Sequence, residues 1–133
     1  MRSKVLAIIK NKEYIEKAVQ IKKGEEQMKY FFGCTFMSRE ELANIGVEYP
    51  IKLEYYKTQT NEEDVKNQKD IKYGIEVIKT SYINEKVSVE KRTIPEIIRD
   101  EIKINRILDK LKENKVTPVS AEYVIEDLLK ESY

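Results

Sequence analysis

The stretch Val47-Glu48-Tyr49-Pro50-Ile51-Lys52-Leu53-Glu54-Tyr55-Tyr56 alternates apolar and polar residues. A period of two places Val47, Tyr49, Ile51, Leu53 and Tyr55 on one face of an extended strand. Pro50 has no N–H to give a ladder, so this strand lies at a sheet edge or starts after Pro50. On its N-terminal side, Met28, Tyr30, Phe32, Cys34 and Phe36 alternate, with Phe31 on the other face, and predict a second strand over 28–37. Between the two, Ser38-Arg39-Glu40-Glu41 has the spacing of a capping box, and the short helix it opens ends at Gly46. On the C-terminal side, the polar run Thr58–Asp70 reads as a mobile loop. Ile71, Tyr73, Ile75 and Val77 alternate again, Asn84-Glu85 offers a turn, and Val87–Lys91 gives another strand, so 71–92 reads as a hairpin.

Helical spacing takes over at both ends. Pro95 suits the first turn of a helix, and Ile97, Ile104, Ile107, Leu108 and Leu111 share one arc. Ile98 and Ile102 fall on a different face. A helix over 96–113 therefore either lies between two surfaces or is broken near Arg99–Asp100. Ala121, Val124, Ile125, Leu128 and Leu129 form the stripe of a last helix, with Ser120 as its cap. Tyr14, Ile15, Ala18, Val19 and Lys22 predict a helix near 11–23, while Val5–Ile9 fits a strand or the start of that helix. The expected fold class is α+β: an antiparallel sheet of four to five strands, with an N-terminal helix and two C-terminal helices packed on one face. Residues 1–133 form a single domain, in which 1–27 either pack on the sheet or stand off as a helical arm.

Composition narrows the function. Of 133 residues, 41% are hydrophobic, enough for one core. Charged residues make up 37%, yet the net charge is +1, which excludes a polybasic tail and an acidic disordered chain. The first 35 residues carry twice as many basic as acidic groups, a weak field for phosphate. No run approaches the roughly 18 apolar residues of a membrane helix. The start MRSKVLAIIK lacks the cleavage site of a signal peptide. One cysteine excludes an intrachain disulfide and suits a reducing, cytoplasmic setting. Lys, Ile, Asn, Tyr and Phe, written in A/T-rich codons, far outnumber Gly, Ala, Arg and Pro. That bias points to a low-GC bacterium or one of its phages or plasmids.

Tyr73-Gly74-Ile75-Glu76-Val77-Ile78-Lys79, and Asn114-Lys115-Val116-Thr117-Pro118-Val119 leading into Val124-Ile125-Glu126-Asp127-Leu128, carry a resemblance. Over roughly residues 50–130 the chain resembles an uncharacterised family of small clostridial proteins of unknown function. The resemblance implies a low-GC bacterial origin and no activity, since the family has no assigned chemistry.

The catalytic and metal constellations that a sequence can reveal are missing. Histidine is absent, so no Cys–His pair forms within one protomer, and Cys34, in Phe31-Phe32-Gly33-Cys34-Thr35-Phe36, reads as a buried core thiol. One cysteine and no histidine exclude a structural zinc site. Glu62, Glu63, Asp64 and Asp70 do not match a calcium loop and read as solvated. The four glycines are scattered, so there is no phosphate loop. No enzyme, no metal and no cofactor are expected. The leading expectation is a non-enzymatic cytoplasmic protein-binding module, regulatory or inhibitory, phage- or plasmid-borne and acting on a host enzyme. Its partner-binding residues would be Tyr49, Tyr55, Tyr56, Lys57, Ile98 and Ile102, with another protein as partner or a second copy as a homodimer. The alternative is a nucleic-acid binder using Lys29, Lys52, Tyr55, Tyr56 and Lys57, aromatics that stack bases between lysines. A third reading is a small-ligand-binding or sequestering domain.

Overall fold

A computed structural model describes residues 25–131 except 45, 48, 64, 65 and 67. The predicted helix over 11–23, the segment Val5–Ile9 and the arm-or-packed question for the first residues lie outside them. Four strands, β1 (Glu25–Met37), β2 (Ile51–Glu63), β3 (Lys69–Ile83) and β4 (Lys86–Ile98), form an antiparallel sheet in the order β1-β2-β3-β4. Helix α1 (Arg39–Ala43) follows β1, and α2 (Glu101–Glu113) and α3 (Pro118–Lys130) follow β4. The fold is α+β. Leu53, Tyr55, Ile75 and Val77 of the sheet share one core with Ile104, Ile107, Leu108 and Leu111 of α2 and with Ala121, Ile125 and Leu128 of α3. The apolar stripe of each C-terminal helix is thus its buried side. Tyr55 anchors this core with a polar handle: its hydroxyl donates to the Val116 carbonyl at 2.7 Å.

Several local signals act as read. Ser38 and Glu41 form both bonds of the capping box, Glu41 N–H to Ser38 Oγ at 3.2 Å and Ser38 N–H to Glu41 Oε1 at 3.1 Å. Gly46 takes a φ of 79° just beyond the helix. The turn between β3 and β4 is Asn84-Glu85, with Asn84 at a φ of 57°.

Other expectations are corrected. β2 does start after Pro50, but it is an interior strand, not an edge; the edges among the described residues are β1 and β4. The polar run over 58–70 is mostly strand, since β2 reaches Glu63 and β3 begins at Lys69. Thr58 pairs with Gly74, Thr60 with Lys72 and Glu62 with Asp70, so the ladder and not apolar content holds this stretch extended. Pro95 does not open a helix. It lies in edge strand β4, where the register shifts opposite Tyr73 and Ile75 and Glu96 takes a φ of 50°. The chain breaks near Arg99–Asp100, and α2 starts at Glu101. The Asp100 carboxylate caps it by accepting the Ile102 and Lys103 N–H groups at 3.0 and 3.1 Å. Ser120 is inside α3, which begins at Pro118 behind Thr117.

A bulge decides the faces of β1. The register slips between Phe31 and Gly33. Phe32 packs on the core, while Cys34 and Phe36, expected on its face, turn with Phe31 to the other side and are exposed. Cys34 is therefore an exposed thiol and not a core residue.

Candidate functional site

The outer face of the sheet, turned away from the core, can be read row by row from the register. Phe36, Lys52, Thr80 and Val89 stand side by side across the four strands; so do Cys34, Glu54, Ile78 and Lys91; so do Phe31, Tyr56, Glu76 and Thr93. The outer strands supply large exposed apolar side chains. Phe31 is 58% exposed, Phe36 59%, Val87 61% and Val89 60%. Such side chains scattered singly are ordinary, whereas four on one face are not.

The middle of this face is polar, and its buried carboxylate is paired. Glu76 is buried although it lies on the outer side. Its Oε2 accepts from Lys29 Nζ at 3.0 Å and its Oε1 from Thr93 Oγ1 at 3.1 Å. The same ammonium sits 4.6 Å above the Tyr56 ring centroid. Phe31 meets Tyr56 edge-on, with centroids 5.5 Å apart and planes at 72°. Burying a carboxylate is costly unless it is paired and hydrogen-bonded, and both partners are present here. Beside it a groove of about 270 Å³ is lined by Gln27, Lys29, Thr58, Thr60, Glu76 and Thr93. The buried Thr58 hydroxyl has no hydrogen-bond partner there.

The residues singled out from the sequence fall on both sides of the sheet. Tyr56, Lys29 and Lys52 are on the outer face. Tyr55 is its neighbour in sequence and so its opposite in space: it is fully buried among the core side chains and offers no ring to a partner or a base. Burial also pushes its phenol well above the ordinary value, so it stays a neutral donor. Lys57, on the core side, reaches Glu101 at 2.6 Å and Asn105 at 3.3 Å, with its ammonium 5.5 Å from the Tyr73 ring centroid. That ammonium holds the Glu101 carboxyl below the usual range. Tyr49 and Ile98 are half-buried against the core. Ile102 alone of the apolar candidates stands out, 66% exposed on α2. The helix with two apolar faces does not exist, because Ile98 belongs to β4 and Ile102 to α2. Neither the partner set nor the nucleic-acid set is gathered in one place.

The outer-face residues that sequence reasoning missed are Phe36, Val87 and Val89. Their signal is the alternation itself: in a sheet that buries one side, a strand apolar at both parities has one set facing out. The bulge at Phe32 hid the parity of Phe36, and Gly33 inside the strand pattern is the sequence signal that could have placed it.

Among the described residues no helix is long and apolar enough to cross a membrane. Residues 36–131 match the model of a family of unknown function (DUF6514). The chain belongs to that family. None of the curated proteins matches the chain, and none of the solved structures does.

Proposed function

We propose that this member of the DUF6514 family is a non-enzymatic protein-binding module, regulatory or inhibitory, whose partner docks on the outer face of the sheet. The reading takes α2 and α3 as packed on the other face, which their shared core with Leu53, Tyr55, Ile75 and Val77 supports. The observation that carries it is the set Phe31, Phe36, Val87 and Val89, each more than half exposed around a polar centre already neutralised by the Lys29–Glu76 pair. The occupant is a protein that presents an apolar surface, because the flanks are apolar and the central carboxylate already has its donors. Lys52 likewise lies 3.9 Å from Glu54, and a lysine facing a carboxylate is poorly placed to release counterions from phosphates. The prevalence of residues written in A/T-rich codons and the single cysteine agree with a phage- or plasmid-borne inhibitor of a host enzyme in the cytoplasm.

The test compares tagged wild type with Phe31→Ala/Phe36→Ala as baits for a low-GC bacterial lysate, with and without nuclease, at low and high salt. Both side chains are more than half exposed, so the variant keeps its circular dichroism, and its melting temperature falls only by what the Phe31–Tyr56 edge contact contributes. A discrete protein retained by wild type under every condition, and held by the variant about tenfold or more weakly, is the expected result. Retention that disappears with nuclease or salt would overturn it in favour of Lys29 and Lys52 on nucleic acid. Retention that ignores the substitutions would move the partner off this face. Empty columns would favour a small ligand.

A further inference from the structure

We infer that β4 is a pairing edge for a second copy of this chain, joined antiparallel about a two-fold axis at Ser88 so that two four-stranded sheets become one. The inference shares Val87 and Val89 with the outer face, and its test reads self-association and not the docking of another protein. It starts from the two edges. β1 is interrupted in its middle by the bulge at Phe31/Gly33, which blunts an edge against pairing. β4 runs from Lys86 to Ile94 against β3 without a shift, and every residue from Lys86 to Thr93 is exposed. A straight edge strand of this length offers a row of unpaired backbone donors and acceptors on its far side.

Charges on an edge strand normally deter self-pairing. Here they select a register instead. With the axis at Ser88, Lys86 faces the partner's Glu90, Val87 faces the partner's Val89, and Glu85 at the turn faces the partner's Lys91. The two-fold repeats each of these pairs, so all the directly opposed charges are unlike and four valines meet at the centre. Moving the axis to Val89 sets Lys86 opposite the partner's Arg92. Moving it to Glu90 sets that carboxylate against itself. Lys86, Ser88 and Glu90 share the core side of the strand and Val87 and Val89 the outer side, so the pairing keeps both sheets the same way up. The Lys79–Glu90 contact at 2.7 Å leaves the Glu90 side chain 55% exposed, open to a second ammonium. Arg92 is already occupied by Glu122 on α3.

Charge reversal with rescue tests the register. Sedimentation equilibrium of the full chain is expected to give a mass twice that of one chain. Lys86→Glu and Glu90→Lys each place two like-charged pairs in the interface and are expected to raise the dimer dissociation constant about tenfold or more. The double variant restores unlike pairs and returns to within about threefold of wild type. Val89→Lys, which puts charge into the valine cluster, also dissociates the dimer. A wild type that stays monomeric overturns the inference. So does a dimer that ignores the single reversals, or a double variant that is as folded as wild type by circular dichroism yet not restored.

Discussion

Gly74 shows how one position holds the centre of this sheet. A Cβ built there would lie 2.5 Å from the Ile94 carbonyl oxygen, 2.7 Å from Pro95 Cα and 2.7 Å from Thr58 Oγ1. Two of these are backbone atoms of β4 where it swings through its bulge, so they cannot swing aside as a side chain would. Gly33 differs: the nearest atoms to its Cβ would be the end of the flexible Lys112 side chain, at 3.2 Å and beyond. Gly74→Ala is expected to lower stability by about 1–3 kcal/mol through overpacking, and Gly33→Ala by less than about 1 kcal/mol. Urea midpoints of the two variants check this, and equal losses would refute the close approach of β4. The alternation around residue 74 was legible in the sequence, but the need for glycine was not. It arises from the backbone at Ile94 and Pro95, far along the chain, which no local pattern connects to it.

At the scale of elements, caps were readable where their chemistry is local. The box at Ser38–Glu41 spans four residues and acts as read. Asp100 was missed because Pro95 offered a competing helix start, and the edge position of β4 let proline remain in a strand. Removing the cap is expected to cost about 1 kcal/mol: Asp100→Ala orphans the Ile102 and Lys103 N–H groups, while Asp100→Ser recovers most of the loss in thermal melts. An Asp100→Ala melt equal to that of wild type would return the helix start to Pro95. The strand over 58–63 carries the opposite lesson. Thr, Gln and Asn there have no apolar period, and a partner strand keeps them extended by backbone bonds that do not depend on side-chain polarity. The same ladder separates Tyr55 from Tyr56 and breaks up a site that treated neighbouring tyrosines as one platform.

Across the whole molecule, exposed ion pairs tie distant segments together. Arg99 holds the Asp70 carboxyl below its ordinary range and links the start of β3 to the entry of α2. Lys57 does the same for Glu101, and Lys115, beyond α2, for Glu41 on α1. A carboxylate whose pKa is depressed in the folded state stabilises it above the unfolded value, near about 4, and loses that contribution as pH falls through the folded one. Stability is therefore expected to be level from neutral pH down to about 5 and to decline below about 4. Arg99→Ala should move the Asp70 titration midpoint, followed by NMR, back up towards that of an unpaired aspartate. An unchanged midpoint would remove Arg99 as the cause.

The sequence by itself determined the class of the fold, the central part of all four strands, the capping box, the β3–β4 turn and the buried stripes of α2 and α3, because each depends on period or on hydrogen bonds within a few residues. Tertiary structure alone decided the order of the strands, the outward turn of Cys34 and Phe36, the burial of Glu76 beneath Lys29 and Thr93, and which of two adjacent tyrosines joins the core and which lies under Lys29 on the outer face. Those outcomes depend on which strands lie side by side and on which residues of each strand join the core, and both are set by contacts between residues far apart in the chain.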